Sequence, residues 1–159
     1  MAELIVGDPA PPFRVPAITR QGETPLSPAD YEGKSAVVLY FYPKDDTPGC
    51  TTESCSFRDM EPEFEAAGGV ILGISPDDQA SHVAFAEKHA LPFPLLADTD
   101  HAVAEAYGVW KEKNNYGKKY WGIERTTFVI DKAGKIAKTY PRVKVEDHAQ
   151  QVLEFIRTL

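Results

Sequence analysis

The feature that most constrains the fold is an almost unbroken apolar run, SAVVLYFYP, at residues 35–43. Its β-branched and aromatic residues favour a strand, and the lack of polar alternation is typical of a strand that is buried on both faces. A second run of this kind, GGVILGISP, occupies residues 68–76. Two such strands in a chain of 159 residues predict one α/β domain in which helices flank a central sheet.

The segments around these strands predict an alternating order of strands and helices. Amphipathic helices are expected from about Cys50, over DDQASHVAFAEKHA and over KVEDHAQQVLEFIRTL, and TTFVIDKAGKIAKTYP predicts a hairpin that turns at DKAG. Residues 7–34 are rich in proline and glycine and predict short strands joined by turns. Pro62 is expected to kink or split the first helix, because it lacks an N–H donor and clashes one turn back. This order indicates a single thioredoxin-like domain over residues 1–159 with a mixed sheet.

Net charge and hydropathy limit the binding partners and the cellular location that are expected for this chain. The net charge is −7, which disfavours binding to nucleic acid or to an anionic membrane. The N-terminus, MAELIVGDPAPPF, has neither a basic region nor a long apolar run, and no stretch has the eighteen or so apolar residues of a membrane helix. We therefore expect a cytoplasmic protein, in which a structural disulfide would be unusual.

The chain has two cysteines, Cys50 and Cys55, five residues apart. A helix that begins near Thr47 places Cys50 in the first turn, where free N–H groups and the helix dipole favour a thiolate. On an ideal helix the Cα atoms of residues i and i+5 are about 8.6 Å apart, which is more than the 7 Å or so that a disulfide tolerates. The spacing predicts thiols that can bond only after the helix unwinds. The alternative is that Cys50 is a small buried residue without chemistry.

Two segments carry a resemblance to a known family. PKDDTPGCTTESC resembles the peroxiredoxin active-site motif Pro-x-x-x-Thr-x-x-Cys, here Pro43, Thr47 and Cys50, and its second cysteine, Cys55, resembles the bacterioferritin comigratory protein, or peroxiredoxin Q, subfamily. GIERTTFVIDKAGKI resembles the segment with the family's active-site arginine, here Arg125. The resemblance implies a thioredoxin fold with an N-terminal β extension. It also implies thiol-dependent reduction of hydrogen peroxide and organic hydroperoxides, with neither cofactor nor metal.

The resemblance implies a role for each matched residue. Cys50 would be the peroxidatic cysteine, oxidised to a sulfenic acid, and Cys55 the resolving cysteine that forms an intramolecular disulfide with it. Arg125 would hold Cys50 ionised. Pro43 would shield the pocket from water, and Thr47 would form a hydrogen bond with the peroxide or the thiolate. The N–H groups of Gly49 and Cys50 would donate hydrogen bonds to the oxyanion, and Glu53 would orient Arg125. A thioredoxin-like partner would reduce the disulfide of a monomeric antioxidant enzyme.

Other functions are weighed against this one. A thiol–disulfide oxidoreductase would have a similar fold, but Cys-x-x-Cys is missing. A Cys–His hydrolase would need a catalytic histidine, and the four histidines are expected to be solvated on helix segments or at their starts: His82, His89, His101 and His148. A zinc site would need two or more further ligands, and no His or Cys pair has suitable spacing. KEKNNYGKKYWG, at residues 111–122, combines four lysines with aromatic residues and could bind RNA, although a solvated loop is the simpler interpretation.

Overall fold

The computed structural model describes residues 3–159, and nine strands follow one another in that part of the chain. They are β1 (Val15–Thr19), β2 (Gly22–Leu26), β3 (Ala36–Phe41), β4 (Gly69–Ser75), β5 (Leu95–Ala97), β6 (Trp110–Asn115), β7 (Lys118–Ile123), β8 (Thr126–Ile130) and β9 (Ile136–Tyr140). The helices are α1 (Pro48–Ala66), α2 (Gln79–His89), α3 (Ala102–Ala106) and α4 (His148–Ile156), and a short 3-10 helix spans Pro28–Tyr31.

Seven of these strands form one mixed sheet, in the order β2-β1-β5-β4-β3-β8-β9. Strand β3 is central: it pairs in parallel with β4 and antiparallel with β8, and all six of its residues are buried. This confirms the prediction of a strand with two buried faces. The β1–β2 hairpin joins the sheet through antiparallel pairing of β1 with β5, so it is the expected N-terminal β extension.

The two faces of the sheet have separate apolar cores. On one face α1, α2 and α4 cover Tyr40, and Phe57 of α1 stacks on that ring with centroids 4.8 Å apart. On the other face Phe41 packs against Tyr107 and Phe128. Alternate residues of β3 therefore anchor opposite layers of the domain. No helix in the described part of the chain is long and apolar enough to span a membrane.

Helix α1 begins where the sequence predicts it. Thr47 is the N-cap residue, with extended backbone angles, and Pro48 occupies the first helical position, where its missing N–H costs nothing. The prediction that Pro62 splits the helix is wrong, because α1 continues to Ala66 without interruption. Burial of Phe57 and Phe64 before and after the proline holds both halves of the helix on the sheet.

The sequence predicts a solvated loop at residues 111–122, and this prediction is wrong. The segment forms the greater part of the hairpin β6–β7. Its two-residue turn consists of Tyr116 and Gly117, with φ angles of 52° and 83°. Positive φ at both turn residues matches the twist of the flanking strands. The side chains of Tyr116, Tyr120 and Trp121 are exposed on this hairpin.

The expectation that the histidines are solvated is wrong for His82 and His148, whose residues are 0% and 3% exposed. Each has a hydrogen-bond partner far away in the chain. His148 Nε2 lies 2.8 Å from Thr127 Oγ1, and burial, with a smaller contribution from the charge of Arg125, lowers the pKa of His148 to about 4. His148 is therefore a neutral residue of the core at neutral pH.

Candidate active site

The candidate site forms where the chain leaves β3 and enters α1. The loop of residues 43–47 joins the two elements, and Cys50 is the third residue of the helix. Cys50 is 1% exposed, and both cysteines are free thiols. Thr51 N–H donates to Thr47 O (2.8 Å), which leaves the N–H groups of Gly49 and Cys50 ahead of the helical hydrogen-bond ladder.

Arg125 reaches this helix end from the start of β8, the strand next to β3. It precedes β8, whose first residue, Thr126, pairs with the last residue of β3, Phe41. Arg125 Nη2 donates to Cys50 Sγ at 3.3 Å, and Nη1 donates to Glu53 Oε1 at 2.7 Å. One guanidinium group therefore contacts both the thiol and a buried carboxyl group.

Glu53 lies one turn after Cys50 and is 1% exposed. Burial raises its pKa to about 7, although the charge of Arg125 and its hydrogen bond act in the opposite direction. Burial also lowers the pKa of Arg125, but the charges of Glu53 and Cys50 outweigh burial and raise it, so the guanidinium stays charged. Glu53 Oε2 has no hydrogen-bond partner among residues 3–159. A single cation therefore serves two acids, and an ionised Glu53 competes with a Cys50 thiolate for it.

Burial of Glu53 makes the stability of the protein depend on pH. Because its pKa is raised, folding favours the protonated carboxyl group, and this contribution is complete below pH 4.5 and is lost as the pH rises through about 7. The difference corresponds to about 3 kcal/mol. We expect the free energy of unfolding of Glu53→Gln, measured with urea, to increase relative to wild type by about this amount between pH 4.5 and pH 8.

Glu63→Gln is the matched control for this measurement, because Glu63 is an exposed residue of the same helix. Its stability relative to wild type should change little over this range. Parallel curves for wild type and Glu53→Gln would show that Glu53 is ionised with its ordinary pKa.

The residues before Cys50 lie close to Arg125 and to the loop. A Cβ atom added to Gly49 would be 3.1 Å from Arg125 Nη2, so a side chain here would force the guanidinium to shift by a few tenths of an ångström. The Thr47 hydroxyl donates to Lys44 O at 2.9 Å and makes no capping hydrogen bond to the helix. Its oxygen lone pairs therefore remain available to accept a hydrogen bond. Pro43 is half-buried at the start of the loop.

Lys113 of β6 is electrostatically coupled to Arg125 and Cys50, which was not predicted from the sequence. Burial lowers its pKa, and the charge of Arg125 adds to that effect, whereas the charges of Glu124 and Cys50 oppose it. Lys113 is thus a second cation whose field reaches Cys50. Strand β7 ends two residues before Arg125, and the pairing of β6 with β7 brings Lys113 close to that arginine. No local sequence pattern predicts this proximity of Lys113 to Arg125.

Comparison with known proteins shows the family of this chain. The AhpC/TSA family model matches residues 6–139. The chain is 54% identical over 138 residues to Peroxiredoxin Bcp of Bacillus subtilis, covering 87% of each chain, and 44% identical over the full length of both chains to the putative peroxiredoxin bcp of Haemophilus influenzae. The chain belongs to the AhpC/TSA family. It is a peroxiredoxin of the Bcp group, and hence a thiol peroxidase.

Solved structures of peroxiredoxins share its fold. A peroxiredoxin Q of Xanthomonas campestris superposes with a TM-score of 0.85 at 42% identity, covering 92% of this chain and 90% of the other. BcpB of Mycobacterium tuberculosis superposes with a TM-score of 0.86 at 34% identity, covering 99% of each chain. The mixed sheet with flanking helices is therefore the thioredoxin-like fold of this peroxiredoxin, as predicted.

A Cys–His hydrolase and a zinc site gain no support from the described part of this peroxiredoxin. In that part His82, His89 and His148 are hydrogen-bonded to oxygen atoms, and His101 Nδ1 lies 3.4 Å from Glu105 Oε2. None of these contacts is to Cys50 or Cys55. The group there with metal-ligand spacing is Asp45, Asp77 and His82. Asp45 Oδ2 and His82 Nδ1 already contact each other at 2.7 Å, which leaves no space for a zinc ion between them.

In this peroxiredoxin Cys55 lies on the same unbroken helix as Cys50 and is half-buried. The helix turns around it are held to the sheet. Ser54 Oγ and the hydroxyl group of Tyr40 are 2.9 Å apart in a buried hydrogen bond, and Phe57 stacks on Tyr40. Bringing the two sulfurs together would therefore require α1 to leave part of its packing.

Proposed function

We propose that this peroxiredoxin reduces hydrogen peroxide and organic hydroperoxides through a sulfenic acid on Cys50, which Cys55 resolves as an intramolecular disulfide. The observation that carries the proposal is the double contact of Arg125, at 3.3 Å to Cys50 Sγ and 2.7 Å to Glu53 Oε1. A charged donor fixed against a buried sulfur stabilises a thiolate. It is also placed to stabilise negative charge that develops on peroxide oxygens next to that sulfur.

In the first step the Cys50 thiolate attacks one oxygen of ROOH. An S–O bond forms as the O–O bond breaks, the sulfur is oxidised to sulfenic acid, and the departing RO⁻ takes a proton to become ROH, or water when R is hydrogen. Arg125 stabilises the charge that passes from sulfur to oxygen. When Glu53 is protonated, the guanidinium serves the reacting atoms alone.

The surrounding residues position the peroxide. The free lone pairs of Thr47 accept a hydrogen bond from the peroxide O–H, while the N–H groups of Gly49 and Cys50 donate to its oxygens. Pro43 keeps water from the sulfur. This division of roles is consistent with the Thr47 hydroxyl donating to Lys44 O, because its hydrogen is then not available to the thiolate.

In the second step Cys55 attacks the sulfenic acid, the disulfide forms and water leaves. The first turns of α1 unwind to allow it, which breaks the Ser54–Tyr40 hydrogen bond and lifts Phe57 from the sheet. A thioredoxin-like dithiol then reduces the disulfide by thiol–disulfide exchange. The bacterioferritin comigratory protein of Xanthomonas campestris, 41% identical with a TM-score of 0.85 over 92% of this chain and 90% of that one, is described by its alkyl peroxide reduction activity, which supports organic hydroperoxides as substrates.

The enzyme acts as a monomer in the cytoplasm and contributes to antioxidant defence. A reducing compartment returns both cysteines to thiols between turnovers, and both cysteines needed for the cycle are in one chain.

The experiment that tests this function is a count of free thiols, with the intact mass, before and after one equivalent of hydrogen peroxide. We expect the reduced protein to lose both thiols and two hydrogens without forming a covalent dimer. The same result is expected with an alkyl hydroperoxide. Retention of both thiols, at the slow rate of an ordinary free cysteine, would contradict the peroxidase mechanism, and a covalent dimer would contradict the intramolecular disulfide.

A further inference from the structure

A buried polar cluster lies behind the loop of residues 43–47. Asp45, the middle residue of this loop, is 7% exposed, whereas the residues on either side of it are exposed. Its carboxylate accepts hydrogen bonds from the hydroxyl groups of Tyr42 (2.6 Å) and Ser81 (2.8 Å). Its backbone N–H donates to Asp77 Oδ2 at 2.7 Å. The loop is thus attached to the interior at its midpoint.

His82 of α2 completes the cluster and is fully buried. Its Nδ1 lies 2.7 Å from Asp45 Oδ2, and its Nε2 lies 2.8 Å from Leu96 O of β5. Because a carbonyl oxygen can only accept, Nε2 carries a hydrogen and donates to Leu96, which fixes the plane of the ring. His82 therefore connects the Asp45 carboxylate to β5 of the sheet.

We infer that His82, acting through Asp45, is a positioning residue for peroxide reduction. Asp45 is two residues from Pro43 and two residues from Thr47, so a displaced carboxylate displaces both ends of the loop over Cys50. A reacting group that is misplaced by about 1 Å can lose about 10²-fold in rate. The inference rests on the proposed function, since it concerns the reaction at Cys50.

The side-chain links of the neighbouring loop residue, Asp46, to α2 are weaker. Asp46 contacts Lys88 (2.8 Å) and His89 (3.2 Å), but the side chains of Asp46 and Lys88 are 47% and 61% exposed. Exposed ion pairs are screened by water and contribute little. Asp46 therefore provides a matched control on the same loop and the same helix.

In this arrangement the hydrogen bonds of the Asp45 side chain, rather than its negative charge, hold the loop in position. An asparagine at position 45 could accept from Tyr42 with its oxygen and donate to His82 Nδ1 with its amide, while His82 Nε2 continues to donate to Leu96. Asp45→Asn should therefore preserve the loop. Asp45→Ala and His82→Leu should release it, because each leaves its former partners without a hydrogen bond.

The test compares two reactions of Cys50 in the reduced full-length protein. The first is oxidation by hydrogen peroxide, which depends on the whole loop. The second is alkylation by iodoacetamide, which requires a reactive thiolate but no peroxide geometry. For His82→Leu and Asp45→Ala we expect the peroxide rate constant to fall about 10²-fold, while the alkylation rate stays near that of wild type. Asp45→Asn and the control Asp46→Asn, which tolerates the left-handed φ of 59° at that position, should retain both rates.

Three results would overturn the inference: wild-type peroxide rates in His82→Leu and Asp45→Ala, an equal fall of both reactions in these variants, or an Asp45→Asn variant as slow as Asp45→Ala. If His82→Leu does not fold, His82→Asn replaces it, because its amide can still donate to Asp45, and it should recover part of the peroxide rate relative to Asp45→Ala. Failure of the proposed function differs from all of these, since the wild-type protein itself would then not react rapidly with peroxide.

Discussion

Cys50→Ser is expected to abolish peroxide reduction altogether. The serine hydroxyl is not ionised at neutral pH and is a far weaker nucleophile than a thiolate, so contact with Arg125 cannot make it attack the O–O bond. The substitution removes no buried volume of consequence, and the fold should remain. Consumption of hydrogen peroxide in the presence of a thioredoxin system, followed by a coupled spectroscopic assay, measures the loss.

Cys55→Ser is the matched control, since it makes the same change on the same helix. This variant should consume one equivalent of peroxide and then stop with a sulfenic acid on Cys50, which a dimedone adduct would identify by mass. Further oxidation to the sulfinic acid is expected at higher peroxide concentrations. Multi-turnover activity in Cys50→Ser would falsify the assignment of the peroxidatic cysteine.

Arg125→Met is expected to give the second largest loss, about 10²- to 10³-fold in the rate of Cys50 oxidation, as for removal of one charged or oxyanion donor. Methionine has about the same length but neither charge nor donor, so Cys50 Sγ and Glu53 Oε1 both lose their contact at once. Arg125→Lys should recover only part of the rate, because a single ammonium group cannot bridge two groups as a fork does. Stopped-flow fluorescence of the reduced protein measures each rate.

The matched control is Arg142→Met, because Arg142 has a side chain that is 78% exposed and lies 3.8 Å from Glu124. It should leave the rate and the stability almost unchanged. Repeating Arg125→Met above about pH 8.5, where free thiols ionise, separates two causes: a rate that stays low shows that the guanidinium stabilises the transition state as well as the thiolate. An unchanged rate at neutral pH would contradict the role of Arg125.

The local part of this fold could be predicted from the sequence. The apolar run at residues 35–43 gave the central strand, and Thr47 and Pro48 marked the start of α1, because strand burial and helix capping depend on neighbouring residues. The lysines of residues 111–122 favour a solvated loop, and only the pairing of β6 with β7 in the structure shows that they belong to a hairpin. Pro62 does not split α1, because packing before and after it outweighs the loss of one hydrogen bond.

The site itself depends on contacts that no spacing reveals. Arg125 is 75 residues from Cys50, and only the pairing of β3 with β8 brings them together, so its prediction required the family resemblance. The burial of His82 is a similar case. Its partner, Asp45, lies 37 residues earlier in the chain. The sequence of an amphipathic helix does not show whether a histidine on it will be hydrogen-bonded to a distant carboxylate.

The packing of α1 has a consequence for the redox potential of the enzyme. In the proposed cycle the dithiol form keeps Phe57 on Tyr40 and the Ser54 hydrogen bond, whereas the disulfide form gives them up. The free energy of that contact therefore favours the reduced state, and each 1.4 kcal/mol or so raises the potential of a two-electron couple by about 30 mV. Ser54 and Phe57, which do not contact the peroxide, would thus make the disulfide easier for the electron donor to reduce.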